Sequence, residues 1–129
     1  MTGPYPSIPD PIDYQVEPPT ADDLKAFAAD KRYRVETSGI TVFGAPIRTD
    51  RESQALITGA AALTKITGNS VKWKSAAGFV NVSAAQIEGI AVAVGNHVQD
   101  CFAAEEQIGL LIDAGEIVTN DQIENWNGW

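Results

Sequence analysis

The stretch from Ser83 to Gly115 constrains this sequence more than any other. Within it Ile87, Ile90, Ala91, Val94, Val98, Cys101, Phe102, Ile108, Leu111 and Ile112 recur every three or four positions. That is the period of a helix with one buried face. Ser83 and Gln86 have the spacing of a capping box, in which the hydroxyl accepts the amide of the third helical residue and the glutamine reaches back. Gly115 suits the left-handed residue that closes a helix. A helix near 84–114 is on the order of 45 Å long at ~1.5 Å per residue. Other elements must pack along such a rod, or part of it must reach a partner.

The chain has 129 residues, a length that fits one domain. With 44 % hydrophobic residues it can build one modest core. Neither a membrane span nor a secretory leader is expected, because no apolar run reaches ~18 residues and the start is neither basic nor apolar. Cys101 is the lone cysteine, which excludes an internal disulfide framework and fits a protein made in a reducing cytoplasm. The net charge of −8 is unevenly spread. All nine Lys and Arg residues lie between Lys25 and Lys74, and from Ser75 onward there are only acids. Such a half repels phosphate, so no nucleic-acid role is expected. The mildly basic middle either docks on an acidic surface, of its own or a neighbouring copy, or is a solvated face.

Taken from the N-terminus, residues 1–19 contain six of the seven prolines. Proline removes amide donors and fixes φ, so the segment is expected to be an extended arm, neither helix nor central strand. Tyr5, Ile8, Ile12, Tyr14 and Val16 give it spaced apolar anchors. A stiff arm loses little entropy on docking, which suits a peptide lying in a groove of another chain. The alternatives are an arm folded over its own domain and a disordered tail. The compact helical domain is then expected over 20–129.

Thr20 caps a first helix with Asp22 and Asp23 at its positive end. Leu24, Phe27, Ala28 and Tyr33 are expected to face inward, with the end near Thr37–Gly39. A small hairpin is predicted near 39–49, with Ile40, Val42 and Phe43 as strand formers and Gly44 in the turn. Thr49 and Glu52 read as a second capping box, opening a helix with Leu56, Ile57, Ala60, Ala61, Leu63 and Ile66 on its apolar face and Gly68 at its end. A second hairpin is predicted near 71–82, with Val71 and Trp73 on one face, Lys72 and Lys74 on the other and Gly78 in the turn. After the long helix, Thr119 and Gln122 form a third capping box before a short helix with Ile123 and Trp126. The fold class is therefore α+β, mainly α: three or four helices around the long one, two small hairpins and a Pro-rich arm.

No chemistry is legible in these residues. His97, Cys101 and Glu105 form a stripe on the long helix, but no further Cys or His completes a metal shell, so no metal is expected. Cys101 reads as a buried thiol and His97 as bordering the core. No nucleophile–base set and no phosphate loop is present, so no catalytic residue, cofactor or enzyme activity is expected. Glu105 and Glu106 are adjacent on a helix and point different ways. Trp73 is expected in the core and Trp126 half in it. Trp129 is an exposed oddity or a C-terminal anchor. Tyr5, Ile8, Ile12, Tyr14, Trp126 and Trp129 are the candidate partner-binding residues.

Five blocks in order, Pro19 to Val42, Thr49 to Ala60, Trp73 to Val80, His97 to Phe102 and Ile112 to Ile117, resemble DUF4376, an uncharacterised domain family of tailed bacteriophages and prophages, often in or beside tail-fibre proteins. The resemblance covers roughly residues 19–126 and carries over no catalytic residue. It implies a virion structural protein of the tail or baseplate region, assembled in the host cytoplasm and bound to other tail or tail-fibre proteins. Several symmetric copies are expected, with the arm inserted into a neighbour. The alternative is a tail-fibre assembly chaperone that does not stay in the particle.

Overall fold

The computed structural model describes residues 17–129. Eight elements follow one another: α1 (Ala21–Glu36), β1 (Ile40–Val42), β2 (Ala45–Ile47), α2 (Arg51–Thr67), β3 (Val71–Ser75), β4 (Gly78–Val82), α3 (Ala84–Asp113) and α4 (Asn120–Glu124). The architecture is α+β and mainly helical, with two antiparallel hairpins, β1–β2 and β3–β4. The arm, with Tyr5, Ile8, Ile12 and Tyr14, lies outside the described residues. Among the described residues no helix is long and apolar enough to cross a membrane.

α3 is the predicted rod. At its start, Ser83 Oγ accepts the Gln86 amide at 3.1 Å and Gln86 Oε1 accepts the Ser83 amide at 3.0 Å. At its end, Gly115 has φ 74°, its amide reaches Ile112 O, and the Glu116 amide reaches Leu111 O. This six-to-one, five-to-two pair is the Schellman closure that a left-handed residue permits. Ile87, Val94, Cys101 and Ile108 are buried at a spacing of seven. Two helical turns nearly repeat every seven residues, so these four trace one line along the rod.

α1 packs along the C-terminal half of that line. Leu24 and Ala28 join Ile108, Ile112, Ile117 and Ile123 in the main core, with Phe27, Leu111, Trp126 and Trp129 against it. The basic stretch docks on the acidic half of the same chain. Lys25 reaches Asp113 at 2.8 Å, Arg32 reaches Glu105 at 2.8 Å, and Arg34 reaches Glu124 at 2.8 Å. Lys31 Nζ also lies 2.6 Å from Glu124 Oε2. α2 begins beside the end of α1, packs on α3, and leads through β3–β4 back to Ser83.

Four expectations need correction. Tyr33 is exposed: the buried positions of α1 are Leu24, Ala28 and Glu36, and Tyr33 falls outside that stripe, near the Arg51 guanidinium. Thr49 is not the cap of α2; Asp50 is, accepting the Ser53 amide, while Thr49 is fully buried one residue earlier. Phe43 is in the turn of β1–β2 and not in a strand, with φ 52° followed by Gly44 at 77°. A two-residue turn that matches strand twist needs positive φ at both positions. The exposed Phe43 ring leans on α3 where Gly89 leaves room, since a Cβ there would come within 2.9 Å of it. Finally, α2 buries only Ile57 and Thr64, and leaves Leu56, Leu63 and Ile66 exposed, the last at 84 %. Its apolar face is wider than the strip that α3 covers.

The second hairpin has the expected faces, but Gly78 is a strand residue rather than part of the turn, and Trp73 is half-buried rather than in the core. Trp73 pairs with Val80 and Lys74 with Phe79, so Val71 and Trp73 share a face opposite Lys72 and Lys74. Ala76 and Ala77 make the turn, and Gly78 already pairs with Ser75. Trp73 is half-buried, while Phe79 and Val80 are exposed.

Candidate functional site

The most ordered constellation of polar groups is centred on Glu36, the last residue of α1. An acid at this end of a helix faces the negative pole of the macrodipole, so it needs partners. Its side chain is 0 % exposed and finds three. Arg32, one turn back, donates from Nη1 to Oε1 at 2.8 Å. Arg51, at the start of α2, donates from Nη2 to Oε1 at 3.0 Å and from Nε to Oε2. Gln54 donates from Nε2 to Oε2 at 2.8 Å and to Thr49 O at 2.7 Å. Two helices are thereby tied at one carboxylate.

The surrounding groups complete the hub. Thr49 Oγ1 donates to Glu36 O at 2.6 Å and accepts the Gly39 amide at 2.9 Å, bridging the two ends of the β1–β2 hairpin. Arg32 also donates from Nε to Glu105 at 2.8 Å and stacks on the Phe102 ring at 4.5 Å. From α3, His97 Nε2 lies 3.1 Å from Val35 O and 3.2 Å from Glu36 O. Both are acceptors, so this nitrogen carries the proton. Burial pushes the Glu36 carboxyl up, but hydrogen bonds from Arg51, Gln54 and Arg32 outweigh it and hold it below the usual carboxylate range.

Cys101 Sγ lies 3.9 Å from His97 Nε2. That nitrogen already donates to the α1 carbonyls, so it cannot take the thiol proton. Burial, with the charges of Glu36 and Asp100, pushes the Cys101 thiol up despite Arg32. The thiol therefore stays protonated and poorly nucleophilic. The predicted stripe does not converge: Glu105 is spent on Arg32. Among the described residues no group of three or more Cys, His, Asp or Glu is placed to hold a metal.

Beside the hub an open groove of about 580 Å³ runs between α3 and the C-terminal segment. Cys101 and Ala104 lie along it, with His97, Asp100, Trp126 and Trp129 at its sides. The two tryptophan rings meet edge to face at 5.9 Å, and Trp129 Nε1 donates to Ile123 O at 2.8 Å. Both tryptophans are half-buried against their own core and also line the groove. Trp129 thus anchors the C-terminus. The structure brings together Trp126 and Trp129 of the candidate partner-binding residues.

Sequence reasoning missed Glu36, Thr49, Arg51 and Gln54. The one signal was an acid at the unfavourable end of a helix whose other end is well capped.

The chain matches the family profile of a domain of unknown function, DUF4376, over residues 19–125. It belongs to the DUF4376 family. The whole Glu36 hub lies inside the matched span, whereas Trp126, Trp129 and the arm anchors lie outside it. No curated protein and no solved structure matches the chain. The hub is thus part of the DUF4376 domain proper, and the candidate partner-binding residues flank it.

Proposed function

We propose that this DUF4376 protein is a structural component of a bacteriophage tail or baseplate region, associated with tail fibres and acting by attachment to other proteins rather than by catalysis. The observation that carries the attachment reading is the exposed apolar surface of Leu56, Leu63 and Ile66 on α2 and Phe79 and Val80 on β4. Large apolar side chains left exposed on a small domain suit contact with a partner. The polar hub supports the same reading, because it fixes α1 against α2 and presents that surface on a rigid frame. The phage setting rests on the resemblance of the five sequence blocks to domains found in or beside tail-fibre proteins. The chain would be assembled in the bacterial cytoplasm and carried in the tail, in several symmetric copies.

Mass spectrometry of purified particles tests this. The expected result is the protein at a fixed ratio to the tail proteins. Its presence in infected lysate but not in the particle would overturn the structural role and favour an assembly chaperone. Deleting residues 1–18 is expected to abolish incorporation while leaving the circular dichroism of the domain unchanged; normal incorporation would show that the arm is not the fastening.

A further inference from the structure

α2 touches α3 through a narrow strip and turns a second apolar strip outward. Glu52, Leu56, Gly59, Leu63 and Ile66 follow one another at alternating steps of four and three residues. In a helix those steps keep side chains on one line. All five are exposed, Leu56 at 57 %, Leu63 at 53 % and Ile66 at 84 %. Ala55 and Ala62, also exposed, flank the line. No charged residue occurs from Ser53 to Thr64. Gly59, at the middle, weakens a helix interior relative to alanine. No positive φ calls for glycine there, and a Cβ would have no described atom within 4 Å apart from its chain neighbours and its own helix backbone. The described chain gives no reason to leave this point bare. A second helix does, because the side chains at the contact set how closely two helix axes approach.

We propose that this line is a homodimer face, on which α2 of a second copy packs antiparallel with Gly59 at the two-fold axis. This rests on the attachment reading above in taking exposed apolar surface as a contact. The line is self-complementary. Turned end over end about Gly59, it brings Leu56 of each copy beside Leu63 of the other. Its middle is free of charge, so two copies of a chain carrying −8 can meet there without opposing like charges. Glu52 fixes the direction. A parallel pair would set the two Glu52 carboxylates side by side. The antiparallel pair holds them about 21 Å apart along the axis at ~1.5 Å per residue, beyond the ~8 Å screening length. The size of the face sets the strength. α2 has 17 residues, so it is about 25 Å long and ~10 Å wide. Two such faces cover on the order of 500 Å², less than the ~1,200 Å² where standard interfaces begin. The dimer is therefore weak in dilute solution and is reinforced where an assembly holds copies side by side.

Sedimentation equilibrium of the full chain from about 1 µM to about 1 mM tests this. The expected result is a reversible monomer–dimer equilibrium that stops at the dimer, as a two-fold contact must. Gly59→Leu separates folding from association. It should hold or raise the thermal midpoint of the dilute protein, because leucine is the better helix former and the site is open. It should also weaken dimerisation roughly tenfold or more by filling the point of closest approach. L56E/L63E should abolish the dimer and leave the circular dichroism of the fold unchanged. A photo-crosslinker at position 55, in a mixture of isotope-labelled and unlabelled chains, should give mixed-isotope products joined at α2. Products joined to residues 1–16 of the same chain would make the chain's own arm the occupant and overturn the proposal. A monomer at every concentration, or equal dimerisation of Gly59→Leu, would also overturn it. A monomer whose L56E/L63E variant is lost from particles overturns the dimer and spares the attachment reading. A dimer through α2 in a protein absent from particles does the reverse.

Discussion

Replacing Glu36 with glutamine isolates the charge of the hub from its shape. The side chain keeps its volume, so no cavity opens, but the charge that four donor contacts converge on is gone. Removing one member of a buried ion pair costs about 3–5 kcal/mol when the other is left stranded. Here the partners are stranded unequally. Arg51 is more than half exposed and can return to water, and Arg32 keeps Glu105. The glutamine keeps one carbonyl oxygen, so its amide must face either Gln54 or Arg32. The expected loss is therefore about 2–3 kcal/mol, below the full penalty. For a chain of this size that lowers the melting temperature by about 10 °C. Urea unfolding followed by circular dichroism at unchanged slope reads the loss directly. Pairing Glu36→Gln with Arg51→Ala should show a coupling of about 1 kcal/mol or more, since the two touch. A loss under about 0.5 kcal/mol, the level of an ordinary surface change, would refute the claim that this carboxylate ties α1 to α2.

Three further outcomes follow from the same structure. The Glu36 carboxyl is held below its ordinary value of 4.5, so the unfolded chain binds its proton more readily and stability rises with pH. That contribution is complete above the ordinary value and lost as pH falls through the lowered one; urea midpoints measured down to about pH 3 should fall less steeply in Glu36→Gln. Ile108→Ala, at a fully buried position, is expected to cost about 2–5 kcal/mol. Ile66→Ala, on the exposed stripe, should change stability by less than about 0.5 kcal/mol; equal losses in urea would contradict the burial described. Trp129→Phe keeps a ring but removes the donor to Ile123 O, and should cost about 0.5–1.5 kcal/mol by the same assay. No change there would mean that the C-terminus is not anchored by this bond.

How much was legible in advance differs from element to element. The capping boxes at Ser83 and Thr119 and the closing Gly115 are interactions between residues at most five apart, so their spacing alone places the helix ends. The buried line through Ile87, Val94, Cys101 and Ile108 follows from helical period in the same way. Leu56, Leu63 and Ile66 fit an apolar face equally well in the sequence, yet are exposed. Periodicity shows which residues share a face, but not which strip of it a neighbour covers. Thr49 misled because threonine suits both a cap and a buried bridge.

The sequence by itself determined the α+β class, the order of the elements and the long helix as their support, because these rest on local hydrogen bonds and on hydrophobic period. Tertiary structure alone decided that the basic middle pairs with the acidic half of the same chain. It alone drew Arg32, Glu36, Arg51, Gln54 and His97 to one point. The first depends on contacts between residues as many as 90 positions apart, the second on contacts as many as 61 apart. A charge carries no mark in sequence of its eventual partner; only the packing of α1 and α2 on α3 supplies it.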